Sequence, residues 1–220
     1  LVRAAALLHD IGHAPFSHSA EHLFDEAIDH EEMTRRFLAS EELREIFSAH
    51  GDGIDGDDVA RILAGAQTPR ERLLTKIISG ELDVDKMDYL LRDSLYCGVR
   101  YGSFDLDRLL DTAMPIQDPD RGNWGIGVHD GGVHALEALV MARYYMFTQV
   151  YFNLIGKVLE LHFTEWLDGA GHRWSTRPAE FLEQDDVSTL AAMRQSSDPH
   201  ARAVVERDYY PLAFESGEHL

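Results

Sequence analysis

The chain has 220 residues, 45% of them hydrophobic, and carries 39 acidic against 20 basic side chains for a formal net charge of −19. That length suits one large globular domain, or one domain plus a small appendage, and the acidity argues against bulk nucleic-acid binding, which needs a basic face. No apolar run of about 18 residues and no basic-then-apolar leader is present, so neither a membrane span nor a secretion signal is expected; Cys97, the only cysteine, excludes an internal disulfide and fits a cytoplasmic setting.

The sequence opens at Leu1 inside an apolar helical run that ends at Leu8, so residues missing upstream are expected. His9-Asp10-Ile11-Gly12-His13-Ala14-Pro15-Phe16-Ser17-His18 follows at once. Imidazole and carboxylate suit a divalent metal of the Zn, Fe, Mn or Ni class, and Gly12 and Pro15 break the helix so that such groups can converge. The pattern points to metal-assisted hydrolysis. His22 falls four residues after His18 on what reads as one helix, and His30-Glu31-Glu32 opens the next.

Most of the remaining chain predicts helix. Ser40 caps a segment with Glu41 and Glu42 in its first turn, ended by a loop at Gly51 to Gly56. Short amphipathic helices are expected over 57–64 and 69–78, with Pro69 in a first turn. Val84, Met87, Leu90 and Leu91 give helical spacing over 83–95, and 105–113 is another helix. Asp118-Pro119-Asp120-Arg121-Gly122, between Ile116 and the alternating Trp124, Ile126 and Val128, signals a β-hairpin. Val133 to Trp166 predicts one or two buried helices, interrupted by aromatic residues and at Gly156. Short helices are expected at 178–184, 187–195 and 199–207.

Two further sets carry chemistry. Asp85, Tyr89 and Asp93 lie at i, i+4 and i+8, with Lys86 beside them; a solvated helix face would look the same. Arg143, Phe147 and Tyr151 repeat that spacing in an apolar segment. An arginine buried there would need an acid such as Glu137 or Glu160, or a phosphate ligand, and spacing leaves both open. His50, His129, His172, His200 and His219 receive no role, and His134 and His162 read as satisfied core or surface histidines.

The stretch His9 to His18 resembles the signature of HD-domain phosphohydrolases. Asp83-Val84-Asp85-Lys86-Met87-Asp88-Tyr89-Leu90-Leu91-Arg92-Asp93, about 75 residues later, resembles the second signature of the deoxynucleoside triphosphate triphosphohydrolase-like branch. Ala142 to Phe152 is similar to a third block. The resemblance implies a mainly α fold, an HD helical bundle with the small hairpin near 115–128, covering 1–168, and an irregular, helical and incomplete C-terminal region over 169–220. It implies that His9, Asp10 and Asp85 hold a divalent ion (Mn, Fe, Zn, Ni or Mg) with a histidine upstream of Leu1.

By the same resemblance His13 and His18 serve the scissile phosphate, Glu21 and His30 support His18, Lys86 and Arg143 contact phosphates, and Tyr89, Asp93 and Tyr151 line the sugar. The implied activity is cleavage of deoxynucleoside triphosphates to deoxynucleoside and triphosphate by a homo-oligomer. Two alternatives stand beside it. One is an HD phosphodiesterase acting on cyclic, oligomeric or signalling nucleotides. The other is a non-catalytic nucleotide-binding HD protein.

Overall fold

Gly12 lies against α2 (His30–Leu38) so closely that a Cβ on it would meet the His30 carbonyl oxygen at 2.2 Å and the Thr34 nitrogen at 2.4 Å. Only glycine lets the chain leave α1 (Val2–Leu8) along this path. The structure, a computed structural model, describes residues 1–50, 53–65, 68–117 and 122–211. It divides into two compact units that do not follow chain order. One contains Leu1–Gly12 and His30–Asn153; the other contains His13–Asp29 and Leu154–Leu220. Among the described residues no helix is long and apolar enough to cross a membrane.

In the first unit α2 is followed by α3 (Glu41–His50), α4 (Gly56–Leu63) and α5 (Pro69–Ile78). The expected Pro69 start is present, and Thr68 and Glu71 form a capping box that satisfies two otherwise orphaned N–H groups. Ala5, Leu38, Val59, Ile62 and Ile78 make one core from α1, α2, α4 and α5. A second core joins α6 (Val84–Tyr96), α7 (Leu106–Thr112) and α8 (Val133–Met146) through Met87, Leu90, Leu109, Leu139 and Met146. Each such side chain contributes about 1.5–3 kcal/mol when fully buried.

The hairpin is present. β1 (Ala113–Gln117) pairs antiparallel with β2 (Trp124–Val128), with Ala113 opposite Val128 and Gln117 opposite Trp124. Residues 118–121 of its expected turn, and 51–52 of the expected loop before α4, lie outside the described residues. Ile126 and Val128 pack on the second core while β1 is exposed along its length.

The segment from Val133 departs from expectation in three ways. The break comes among the aromatics, as expected, at Phe152 and Asn153, but none comes at Gly156: α8 passes into a π turn at Phe147–Tyr151, and α9 (Leu154–Gly169) starts afresh and runs through Gly156. The segment is not buried throughout, since Val140, Met141, Tyr144 and Leu161 are exposed. Arg143 is exposed as well, so the cost of burying its charge, which the apolar sequence suggested, does not arise. The apolar residues of α8 surround the helix instead of lining one stripe, and one helix cannot bury every side.

The second unit is built on Trp174, which is fully buried. Its indole donates to the Ala20 carbonyl at 2.9 Å, and its backbone bridges Phe24. Residues Ser17–Leu23 form a 3-10 helix, not the α-helix expected, so His18 and His22 do not stack as an i, i+4 pair. The short helices α10 (Pro178–Phe181), α11 (Asp186–Gln195) and α12 (Pro199–Val205) follow the expected positions.

Candidate metal and phosphoester site

His9 follows the last turn of α1, and its ring stands between two carboxylates. Nε2 lies 3.3 Å from Asp10 Oδ2 and 3.5 Å from Asp85 Oδ1. One ligand atom from each residue lies within 4.8 Å of the other two. Nδ1 meets the Ala6 carbonyl at 3.0 Å. As donor in that bond it leaves Nε2 as the lone-pair nitrogen of the neutral ring, the arrangement in which histidine ligates metals. Two ligand atoms at about 2.0–2.2 Å from a shared cation stand roughly 3 Å apart. The donor set, one imidazole and two carboxylates, therefore fits a divalent first-row ion.

The electrostatics agree. The hydrogen bond to Asp85 raises the His9 pKa above its ordinary value, with burial opposing and the Asp10 charge assisting. The same bond to His9 holds the Asp85 carboxyl below its ordinary value, against burial. Thr34, buried inside α2, fixes the backbone of the motif: its hydroxyl donates to the His9 carbonyl at 3.1 Å and accepts from the Gly12 N–H at 3.1 Å. A cavity of about 1060 Å³ adjoins the triad, lined by Arg3, His9, Asp10, Asp85, Asp88 and Arg92 among others.

Helix α6 carries the next residues. Asp83 caps its start and is almost fully buried. It accepts the Gly80 N–H (2.7 Å), the Lys86 N–H (2.8 Å) and the Lys86 ammonium (2.6 Å). Lys86 also donates to the Gly80 carbonyl at 2.9 Å. Two of its three ammonium donors are thus committed to protein oxygens. Sequence reasoning treated Asp83 only as a helix start; its three-residue offset from Lys86 was the available signal.

Tyr89 and Asp93 face the π turn. Tyr151 donates to Asp93 Oδ2 at 2.7 Å, and the Tyr89 and Tyr151 rings meet edge-on at 6.2 Å. Burial raises the Tyr89 hydroxyl pKa, with Arg143 and Lys86 opposing. The Arg143 guanidinium lies 5.4 Å from the Phe147 ring centre. Arg143, Phe147 and Tyr151 share a face as their spacing suggested: the Phe147 and Tyr151 rings also meet edge-on, 5.1 Å apart, across the π turn. Such turns are frequent at functional sites.

In the second unit His13 packs edge-on against His18 with ring centres 4.6 Å apart. His18 Nδ1 lies 3.4 Å from Glu21 Oε2. Phe16 and Ser17 both adopt left-handed backbone, φ 61° and 58°, a conformation costing about 1–2 kcal/mol per residue. Phe16 is held by Phe163 (ring centres 4.5 Å apart) and by Asp186, which accepts its N–H at 2.9 Å. Asp186 has no signal in local sequence. His30 opens α2 in the first unit.

A helical domain that sets a His-Asp pair against a remote aspartate has the makings of an HD domain. Residues 1–93 match the HD domain and residues 104–213 the HD associated region. The chain belongs to the HD-domain phosphohydrolase family, with an HD domain followed by an HD associated region.

An uncharacterized Bacillus subtilis protein is 37% identical over 188 residues, which is 82% of this chain and 41% of that protein. The deoxynucleoside triphosphate triphosphohydrolase SAMHD1 homolog of Dictyostelium discoideum is 30% identical over 211 residues, 90% of this chain and 40% of its own. The crystal structure of a hypothetical Aquifex aeolicus protein superposes with a TM-score of 0.77 at 32% identity, covering 94% of this chain and 55% of that one. The chain spans less than half the length of the curated relatives it matches.

Proposed function

We propose that this chain carries the active centre of a metal-dependent nucleotide phosphohydrolase that converts deoxynucleoside triphosphates to deoxynucleoside and triphosphate. The observation that supports it most is His9 Nε2 held between Asp10 and Asp85, with Nδ1 tied to Ala6. A divalent ion there would act as a Lewis acid toward a phosphoryl oxygen and lower the pKa of water.

The chain's own groups take the remaining roles. His9, Asp10 and Asp85 would hold the ion. Arg143 is exposed and available to a polyphosphate; Lys86 offers the donor that Asp83 and Gly80 do not use. Both offset phosphate charge, the main source of rate in phosphoryl transfer. Tyr89, Asp93 and Tyr151 bind the sugar, Asp93 accepting from a hydroxyl. His18 gives a proton to the leaving oxygen while Glu21 sets its tautomer, and His13 and His30 assist it.

Homo-oligomerisation belongs to the same proposal and is supported by the apolar surface that Val140, Met141 and Tyr144 leave on α8; size-exclusion chromatography tests it. The activity is tested with full-length protein, Mn²⁺ and each deoxynucleoside triphosphate. Triphosphate should appear as the inorganic product. Release of phosphate or pyrophosphate alone, or turnover of cyclic and oligomeric nucleotides only, would reject the substrate class.

A further inference from the structure

The second unit holds a pair of histidines that none of these roles uses. His162, on α9, is only 7% exposed. His200 sits in the first turn of α12, which packs on α9. Its backbone N–H is held at 2.7 Å by Asp198, the cap of that helix. The two Nδ1 atoms face each other at 2.9 Å, with ring centres 5.1 Å apart. Nitrogens this close share one proton or one cation.

Geometry and surroundings favour the cation. Two imidazole nitrogens about 2.0–2.1 Å from one ion stand roughly 2.9–3.4 Å apart for ligand angles between 90° and tetrahedral. The observed separation lies at the right-angled end, which suits six-coordinate or tetragonal ions. Glu165 lies one turn after His162 on α9 and lines the same cavity, placed to act on a bound ion through water and not as a direct ligand. His162, Glu165, His200 and Tyr210 line one cavity of about 390 Å³, room for the water molecules that would complete a coordination shell. The Tyr210 ring centre lies 6.1 Å from that of His162.

We propose that His162 and His200, with water molecules and with Glu165 as an outer partner, form a second divalent-cation site that takes Co²⁺, Ni²⁺ or Cu²⁺ and ties α12 to α9. It shares no residue with His9, Asp10 and Asp85 and does not depend on their role.

The test is titration of untagged, metal-free protein with Co²⁺, read by calorimetry and by the visible d–d bands. Relative to wild type, His9→Ala and His200→Ala should each lose one equivalent and the double variant two. At the second site His200→Ala should weaken binding by more than about tenfold, since even outer partners of a metal site act on that scale. Circular dichroism confirms folding of each variant. Should His200→Ala not fold, the His9→Ala protein still decides: Co²⁺ must raise its melting temperature, and Glu165→Gln added to it must reduce that rise. A folded His9→Ala protein that binds no Co²⁺ and shows no melting shift overturns the second site. Wild type taking one equivalent that His9→Ala keeps and His200→Ala loses would instead reject the His9 site and leave this one standing.

Discussion

Tyr151 donates a hydrogen bond from its hydroxyl to Asp93 across 58 residues of chain, at 2.7 Å, and so ties the π turn to α6. The bond has a charged acceptor and is partly buried. Removing it with Tyr151→Phe should cost about 1–2 kcal/mol in urea unfolding. Asp93→Asn keeps an acceptor and should cost less stability. If Asp93 receives a sugar hydroxyl, Asp93→Asn, with a weaker acceptor, should also reduce the preference for substrates with a 3′-hydroxyl over 3′-deoxy analogues. Equal loss on both substrates would remove Asp93 from sugar recognition.

The Gly12–Thr34 contact should be the least tolerant point of the His-Asp motif. Gly12→Ala drives a methyl into the backbone of α2, where nothing can move aside cheaply, and should cost roughly 3 kcal/mol. Thr34→Val leaves a buried N–H and C=O unpaired at a cost of about 1–3 kcal/mol, whereas Thr34→Ser should restore most of it. Thermal melts compare the three. Equal melting temperatures for Thr34→Val and wild type would show that the hydroxyl link is not needed.

Metal affinity should depend on pH through His9. Its pKa lies above the ordinary histidine value because Asp85 stabilises the imidazolium, and a protonated ring cannot ligate. At a fixed metal concentration, apparent affinity should therefore level off above the raised pKa and weaken as pH drops below it, a change that begins above the midpoint of a free imidazole at about 6.5. His9→Ala should lose one equivalent of bound metal by elemental analysis. Unchanged metal content would refute the ligand assignment.

His172 predicts an acid-side loss of stability in the second unit. Its Nε2 is buried with no hydrogen-bond partner among the described residues, and its ring meets Trp174 at 4.2 Å. Burial, then the Arg173 charge, pushes its pKa below the ordinary value. The unfolded chain takes up the proton near pH 6.5 and the folded chain only at lower pH. This contribution is therefore complete above pH 6.5 and lost as pH falls toward the lowered value. His172→Phe should flatten that part of the stability–pH curve and leave neutral-pH stability equal or higher, measured by urea midpoints from pH 5 to 8. A variant curve parallel to wild type would dismiss the effect.

Much of the helical layout was legible because its signals are local. Pro69 starts α5, Asp83 and Asp105 cap α6 and α7, and alternation at Trp124, Ile126 and Val128 marks β2. The placement of Asp85 on a face with Tyr89 and Asp93 also followed from helical spacing. Thr34 and Asp186 were not legible, since each acts on a backbone group far away in sequence. Arg143 was misjudged because apolar neighbours in sequence do not imply burial when they surround a helix on all sides. His162 and His200, taken singly, had read as a satisfied histidine and one without a role.

By itself, then, the sequence determined the helical class, the hairpin strands, and the His9-Asp10 and Asp85 signatures, because caps, breakers and periodicity act within a few residues. Tertiary structure alone decided that His9 Nε2 faces Asp85 as well as Asp10, that a π turn brings Tyr151 onto Asp93, and that His162 meets His200. Those relations depend on how packed helices set distant atoms within a few ångströms, and neither residue of a distant pair carries a local trace of the other.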